Sequence, residues 1–281
     1  IARAFTGKTK VFRCGYHGWH DWCVEQKGGI PEKVYEDVHE FHYNQLDELE
    51  ALFGQHSDSA AAVIVTPLGH PLAQPIQEPA AGFLEGVKSL AAKNGAVLIF
   101  DEIRTGFRVD MGGAQKHYGV TPDMSVFGKA MANGYPISAV VGRRDIMEMA
   151  NGKIFLSSTF FPNSLEMVAA LKTIEILERE KALATIWQRG QVLLDGLTQA
   201  LQELDFPAHV SGIAPMPFIT FDVDEQGRYK KLRQSFYTEM IRRGVFLAPY
   251  HHGYVCWRHS DGDIQTVVGA ARESLQVAKE A

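Results

Sequence analysis

An aspartate and a lysine stand at the ends of two apolar runs. Val97-Leu98-Ile99-Phe100-Asp101-Glu102-Ile103 carries four apolar residues in a row soon after Gly95, and Asp123-Met124-Ser125-Val126-Phe127-Gly128-Lys129 closes a second short run with a glycine and a single lysine. Such runs, bounded by turn formers, read as strands buried on both faces of a parallel sheet. Open α/β sheets bind ligands outside the carboxyl ends of their strands, which is where Asp101 and Lys129 fall. A carboxylate leaving an apolar strand needs a cationic or protonated partner to stay charged there. Singly, each residue has a plain meaning: Asp101 as a hydrogen-bonded structural acid or part of the Asp-Glu of an NTPase strand, Lys129 as a surface lysine. Together they match what pyridoxal phosphate chemistry requires, an amine for a Schiff base and a carboxylate that keeps the pyridine nitrogen protonated as an electron sink.

The elements that position this pair can be read along the chain. Residues 1–6 read as the last turns of a helix stopped by Gly7, and 10–14 as a strand. The loop Gly15-Tyr16-His17-Gly18-Trp19-His20 follows, and an aromatic ring held between glycines can lie flat on another ring. Cys14, His17, His20 and Cys23 stand at intervals of three and raise the question of zinc. Four ligands within so short a stretch leave little chain to wrap a tetrahedron, so the metal reading is the weaker one. His39 and His42 read as surface or packing residues. A helix over 44–54, marked by Leu46, Leu49, Leu52 and Phe53, leads to a buried strand at 60–65. A loop at 75–79 and a helix over 82–94 then lead into the strand that ends in Asp101.

After Lys129 comes a small-residue loop, Ala130 to Pro136, and a further strand over 137–142. Ser157 to Phe161 precede a long helix from Asn163, where Glu166 completes a capping-box spacing and Leu165, Val168, Leu171 and 174–177 are expected to form a buried stripe. From about Arg179 the style changes: a helix over 183–204, strand-like segments at 209–210 and 218–223, a helix over 230–243 and a final helix from Asp263. The expected architecture is α/β, with a large domain at 1–178 built on a mainly parallel sheet covered by helices on both faces, and a small C-terminal α/β domain at 179–281.

Bulk properties narrow the function. A chain of 281 residues, 46% hydrophobic, buries a full core. The net charge of −5, with Lys and Arg scattered, leaves no nucleic-acid or membrane footprint. No run approaches the roughly 20 apolar residues of a membrane span, and the expected setting is cytoplasmic. Cys14, Cys23 and Cys256 are odd in number and lack a CxxC, which suits reduced thiols.

The runs DEIRTGFR, GVTPDMSVFGKAMANGYPISAVVG and YHGWHD resemble the class III, fold-type I pyridoxal-phosphate aminotransferases, most of all the glutamate-1-semialdehyde aminomutase branch. The resemblance covers nearly the whole chain. It implies that Asp101 binds the pyridine nitrogen, that Ile103 packs under the ring, that Lys129 forms the internal aldimine and that Tyr16, with His17 in the same cofactor-binding loop, covers the other face. It gives Thr159 the cofactor phosphate of a neighbouring subunit, hence a homodimer with shared sites, and it places phosphate-cradle and substrate elements upstream of the first residue. In the family a Glu-Pro at the end of the 60–65 strand contributes to the active-site entrance; here Thr66-Pro67 stands there, so a lost carboxylate is expected to change substrate tolerance. His259, in a His-Ser-x-x-Asp-Ile stretch, is expected to be structural. The implied reaction moves an amino group from an amine or amino acid to a keto acid or aldehyde. Intramolecular transfer, the mutase reaction, is the alternative, and the short segment at 21–31 speaks against the long lid it uses. An NTPase-like or metal-binding protein is the remote alternative, and the chain has no GxxxxGK[ST].

Overall fold

The computed structural model describes residues 1–69, 75–161 and 163–280. The chain divides into two units, Ile1–Gly69 with Glu78–Arg179 and His70–Gln77 with Glu180–Ala281.

Among the described residues the first unit holds a six-stranded sheet in the order β2-β1-β3-β4-β5-β6, formed by β1 (Lys10–Cys14), β2 (Val38–Glu40), β3 (Ala60–Val65), β4 (Val97–Asp101), β5 (Met124–Phe127) and β6 (Ala139–Gly142). The first five run parallel, and β6 turns back antiparallel on β5. The chain enters through α1 (Ala2–Thr6), ended by Gly7 at φ 70 as a left-handed cap. Strand β3 shows why the apolar runs read as doubly covered. Its Val63 and Val65 pack with Leu49 and Phe53 of α2 (Leu46–His56) and Phe83, Leu84 and Val87 of α3 (Phe83–Lys93). Its Ala62 packs on the other face with Ala2, Val97, Met124 and Ile146, the last from α5 (Arg144–Met147).

Parallel registry brings the carboxyl ends together. Cys14 pairs with Val65, Val65 with Phe100, and Asp101 with Val126, so the loops after β1, β3, β4 and β5 open on one side of the sheet. The loop after β4 runs into the short α4 (Gly113–His117), and β5 is followed by a 3-10 turn at Lys129–Ala132.

One expectation fails in α6 (Ser164–Arg179). Three residues of its expected buried stripe, Leu165, Val168 and Leu171, are 58%, 61% and 69% exposed. Ile174 of the same stripe does pack, meeting Met131 and Ala132 of the Lys129 turn together with Ala170, so it is the N-terminal part of the stripe that stays uncovered in this chain. The capping-box spacing is used only in part: Asn163 Oδ1 accepts the Leu165 N–H at 3.3 Å. Pro162, in the departure from the family's Gly-Asn-Pro, lies outside the described residues. Two short elements had no clear sequence signal, β2 and α4. His39, on β2, is half-buried and stacks on His56 at 4.6 Å, while His42 is exposed and pairs with Glu48.

The second unit pairs β7 (Ala208–Ile213) antiparallel with β8 (Met216–Phe221). It adds α7 (Ala182–Glu203), α8 (Arg228–Arg242) and α9 (Asp261–Glu280). Buried Leu193, Leu197 and Leu201 of α7, Phe236 and Met240 of α8 and Leu275 of α9 form its interior. Ser260 and Asp263 form a reciprocal cap at the start of α9: the Ser260 N–H donates to Asp263 Oδ2 at 2.7 Å, and the Asp263 N–H donates back to Ser260 Oγ at 3.1 Å. His259 Nδ1 accepts the Cys256 N–H at 3.2 Å, a local structural contact.

Candidate active site

The site grows from four loop ends. At the end of β4, Asp101 is buried, and its carboxylate meets two partners from different elements. Its Oδ1 accepts the N–H of Ile103 at 3.1 Å, and its Oδ2 lies 2.8 Å from Nδ1 of His17 in the loop after β1. A buried carboxylate left without partners would be costly, and here the sequence supplies one donor two residues on and the other across the sheet.

That loop is held from below. Gly15 has φ 99, and a β-carbon on it would lie 1.8 Å from Thr66 Oγ1. Only glycine meets both demands. Thr66 is buried, and its hydroxyl donates to the Cys14 carbonyl at 3.3 Å. The expected change at the entrance therefore takes a different form: the residue that stands where the family has Glu is a buried support of the Tyr16 loop. Tyr16 keeps 38% of its surface exposed, whereas the His17 imidazole is enclosed. Trp22 stacks on His17 at 6.3 Å and 13°, and Cys23 Sγ donates to the His17 carbonyl at 3.7 Å.

Glu102, adjacent to Asp101, points elsewhere. It is fully buried, and its carboxylate accepts the Thr105 hydroxyl, the Ala114 N–H at 2.8 Å and the Gln115 N–H at 2.9 Å. Burial pushes its carboxyl above the ordinary glutamate value, against the pull of those donors. Glu102 thus closes the 102–115 segment on itself and fixes the turn that carries Ile103, Arg104 and Arg108. In the sequence Glu102 reads only as half of an Asp-Glu pair; the signal for its role is Gly113, where a β-carbon would lie 2.6 Å from the Glu102 carboxylate.

Lys129 follows β5. Its backbone is left-handed at φ 44, a conformation that costs a non-glycine residue about 1–2 kcal/mol and so has to be held by the surrounding fold. The Met131 N–H closes the turn on the Gly128 carbonyl at 3.0 Å, and Asn133 at φ 49 ends it. A β-carbon built on Gly128 would lie 3.8 Å from Ile103 Cγ2, which puts the half-buried Ile103 against the segment leading to Lys129. The Lys129 side chain retains exposed surface, yet enough protein surrounds it for desolvation to be the largest cause lowering its pKa. The Arg104 and Arg108 guanidiniums push the same way, and Asp101 opposes them. A lysine nearer neutrality is a better nucleophile and base.

Thr159 is exposed and does not join Asp101 and Lys129 through any contact found among the described residues. Among the described residues no three of His, Cys, Asp or Glu are grouped to hold a metal ion. No described helix is long and apolar enough to cross a membrane. What this end of the sheet presents is an amine displaced toward its free base and a buried carboxylate, with Ile103 beside the segment that leads to Lys129.

A family model described as aminotransferase class-III matches residues 5–259. The chain is 54% identical over 279 residues to a protein named 3-aminobutyryl-CoA aminotransferase from Cloacimonas acidaminovorans (strain Evry), covering 99% of this chain and 67% of that one. Among solved structures it is similar to the pyridoxal-phosphate internal aldimine form of the FumI protein of Sphingopyxis sp. MTA144, with 28% identity, a TM-score of 0.93, and coverage of 99% of this chain and 67% of that one. An omega-transaminase from Sphaerobacter thermophilus matches with 26% identity, a TM-score of 0.90, and coverage of 99% and 70%. With a parallel sheet that brings an aspartate and a lysine to neighbouring strand ends, and with these matches along nearly its whole length, the chain belongs to the class-III aminotransferases, which transfer amino groups with pyridoxal phosphate.

Proposed function

We propose that this chain takes the amino group of a 3-amino acyl thioester and passes it to a keto acid or aldehyde. The observation that carries the donor class is the 54% identity to a 3-aminobutyryl-CoA aminotransferase, sustained over 279 residues. Pyridoxal phosphate, when bound, supplies an aldehyde that captures the amine and a ring that accepts the electron pair released at the donor carbon.

The chain's own residues supply the rest. Lys129 holds the cofactor through Nζ and, once displaced, moves the proton between the donor carbon and the cofactor; its lowered pKa favours the free amine that both tasks need. Asp101 presents its carboxylate to the pyridine nitrogen. Ile103 and Tyr16 take the two faces of the ring, and His17 belongs to the same loop. The cofactor-binding role is assigned to the unit of Ile1–Gly69 with Glu78–Arg179, close to the expected 1–178 domain, and the smaller domain to the other unit.

The working form is inferred to be a homodimer in which Thr159 serves the phosphate of the other copy. Support comes from the exposed apolar face of α6 and from Phe155, Leu156, Phe160 and Phe161, which leave this chain with an uncovered apolar surface around Thr159. A reducing, cytoplasmic setting is supported by three free thiols, two of them buried.

The test is a donor comparison in the presence of 2-oxoglutarate or pyruvate. 3-Aminobutyryl-CoA should yield the 3-oxo thioester and the amino acid of the acceptor, with free 3-aminobutyrate a much poorer donor. Equal rates with the free acid would remove the thioester from the proposal. Turnover of glutamate-1-semialdehyde without any acceptor would replace it with the mutase reaction.

A further inference from the structure

We propose that a cavity beside the loop after β1 holds the phosphorylated nucleotide end of the thioester donor, the 3′-phosphoadenosine of a coenzyme A carrier. The inference rests on the thioester reading above and names where the part of the donor remote from the amine is held.

The cavity lies within the first unit, between β1, β2 and the segment that joins them, with Leu52 of α2 on its wall. It encloses about 280 Å³, close to the lower bound of ~300 Å³ for small-molecule sites. Arg13 lines it and is only 6% exposed. Parallel pairing sets Arg13 opposite Glu40 of β2; its Nη2 donates to Glu40 Oε2 at 2.9 Å, and its Nη1 to the Gly15 carbonyl at 3.4 Å. A guanidinium carries more N–H donors than these contacts use, and the rest are available to a guest. A buried arginine is also the side chain best suited to a phosphate, because its planar fork can meet two oxygens at once.

The other lining residues favour the same guest. Lys27 holds its ammonium 4.2 Å from the centre of the Tyr35 ring, a cation kept at the cavity by a cation–π contact. Glu40 is the one carboxylate among the described lining residues, against Arg13 and Lys27, so the lining is net positive. His39 Nε2 is buried with no hydrogen-bond partner among the described residues, which leaves a polar atom of this wall unsatisfied. Trp22 supplies a flat apolar surface of the kind on which a purine stacks.

Trp22 also ties the cavity to the reaction end of the sheet. Its ring stacks on His17 at 6.3 Å and 13°, and His17 meets Asp101 at 2.8 Å. A coenzyme A thioester carries its phosphates and its purine on a long arm, so they have to be bound away from the reacting amine. Free 3-aminobutyrate has neither group to place here.

The test uses the full chain and adenosine 3′,5′-bisphosphate as the probe, followed by calorimetry, with inorganic phosphate as the control anion. The bisphosphate should bind at least about tenfold more tightly than phosphate, since it adds the purine contact and a second charged group. Lys27 is exposed, so Lys27→Glu leaves the fold intact and should weaken the bisphosphate by about tenfold or more. Arg13→Lys keeps the charge and loses the fork, and should weaken it by a similar factor. In Lys27→Glu, KM for 3-aminobutyryl-CoA should rise by more than KM for free 3-aminobutyrate. Phosphate binding as tightly as the bisphosphate would overturn the inference and leave a general anion site. Wild-type affinity in both variants, or no bisphosphate binding while the thioester remains the preferred donor, would overturn the cavity assignment and leave the donor class standing. Equal rates on thioester and free acid would overturn the donor class, and the assignment of this cavity to the donor with it.

Discussion

Thr66 occupies the space that a β-carbon on Gly15 would need: the distance from its hydroxyl to that position is 1.8 Å. Two adjacent parallel strands thus end in residues that fit only as a pair, and the loop carrying Tyr16 and His17 starts from this contact. Gly15→Ala should fail on two counts, because φ 99 is closed to alanine and Thr66 is buried and cannot retreat into solvent. Expected are a loss of stability on the order of 1–3 kcal/mol and weaker cofactor binding, read by urea melts and cofactor titration. Adding Thr66→Ala should recover part of the loss. A Gly15→Ala protein that melts and binds like wild type would show that the loop is set elsewhere.

Glu102 gives a pH prediction. Burial raises its carboxyl above the ordinary value of 4.5 in the folded chain. A group with a higher pKa folded than unfolded adds stability below the unfolded value and gives it up as pH climbs through the folded one. Glu102→Gln removes this dependence, and its amide NH2 must face one of the N–H donors of Ala114 and Gln115, at a cost on the order of 1–3 kcal/mol. The gap between wild type and Glu102→Gln should therefore be largest at acid pH and narrow as pH rises above 4.5. Melts at several pH values decide it, and a gap that widens with pH contradicts the buried-carboxyl account.

These two residues mark where sequence and structure part. The central strands were legible because doubly buried parallel strands are uniform apolar runs, and β1 and β3 have the bounds that their composition suggests. The placement of Asp101 and Lys129 at strand ends was legible for the same reason. What composition does not encode is which groups meet: the His17–Asp101 contact and the seat of Thr66 under Gly15 join separate loops, and Glu102 closes a single loop across more than ten residues. The α6 stripe misled because apolar periodicity tells which face seeks cover and is silent on what supplies it. Strand β2, only three residues long and bearing Val, His and Glu, has no pattern to detect.

Lys129 should be the residue that carries the cofactor. Borohydride reduction of the loaded enzyme followed by peptide mapping should label the peptide containing Lys129. Replacement by alanine should cost about 10²–10⁴ in rate from the lost proton transfer alone. Because its pKa lies below the ordinary lysine value of 10.5, its amine should also react with acylating reagents ahead of surface lysines at mildly alkaline pH in the unloaded protein. A label on a different lysine would transfer the role.

The exposed stripe of α6 supplies the last prediction. Leu165, Val168 and Leu171 lie on one helical face, and Phe160 and Phe161 just before the helix are 80% and 64% exposed. An isolated chain gains nothing from displaying so much apolar surface, and at roughly 25 cal/mol per Å² covering it would contribute several kcal/mol to association. If a second copy covers it, Val168→Asp should leave the fold intact, since substitutions at exposed helix positions change stability by only about 0.5 kcal/mol. It should nevertheless convert the protein from dimer to monomer in sedimentation. Thr159 lies on the segment leading to this face, so its effect on the cofactor phosphate should disappear with the interface. Mixing an inactive Lys129→Ala protein with an inactive Thr159→Val protein then becomes diagnostic: mixed dimers hold one site with both residues intact and should regain part of the activity. A Val168→Asp monomer with full activity, or a mixture that stays inactive despite subunit exchange, would place Thr159 and the apolar face outside the catalytic unit.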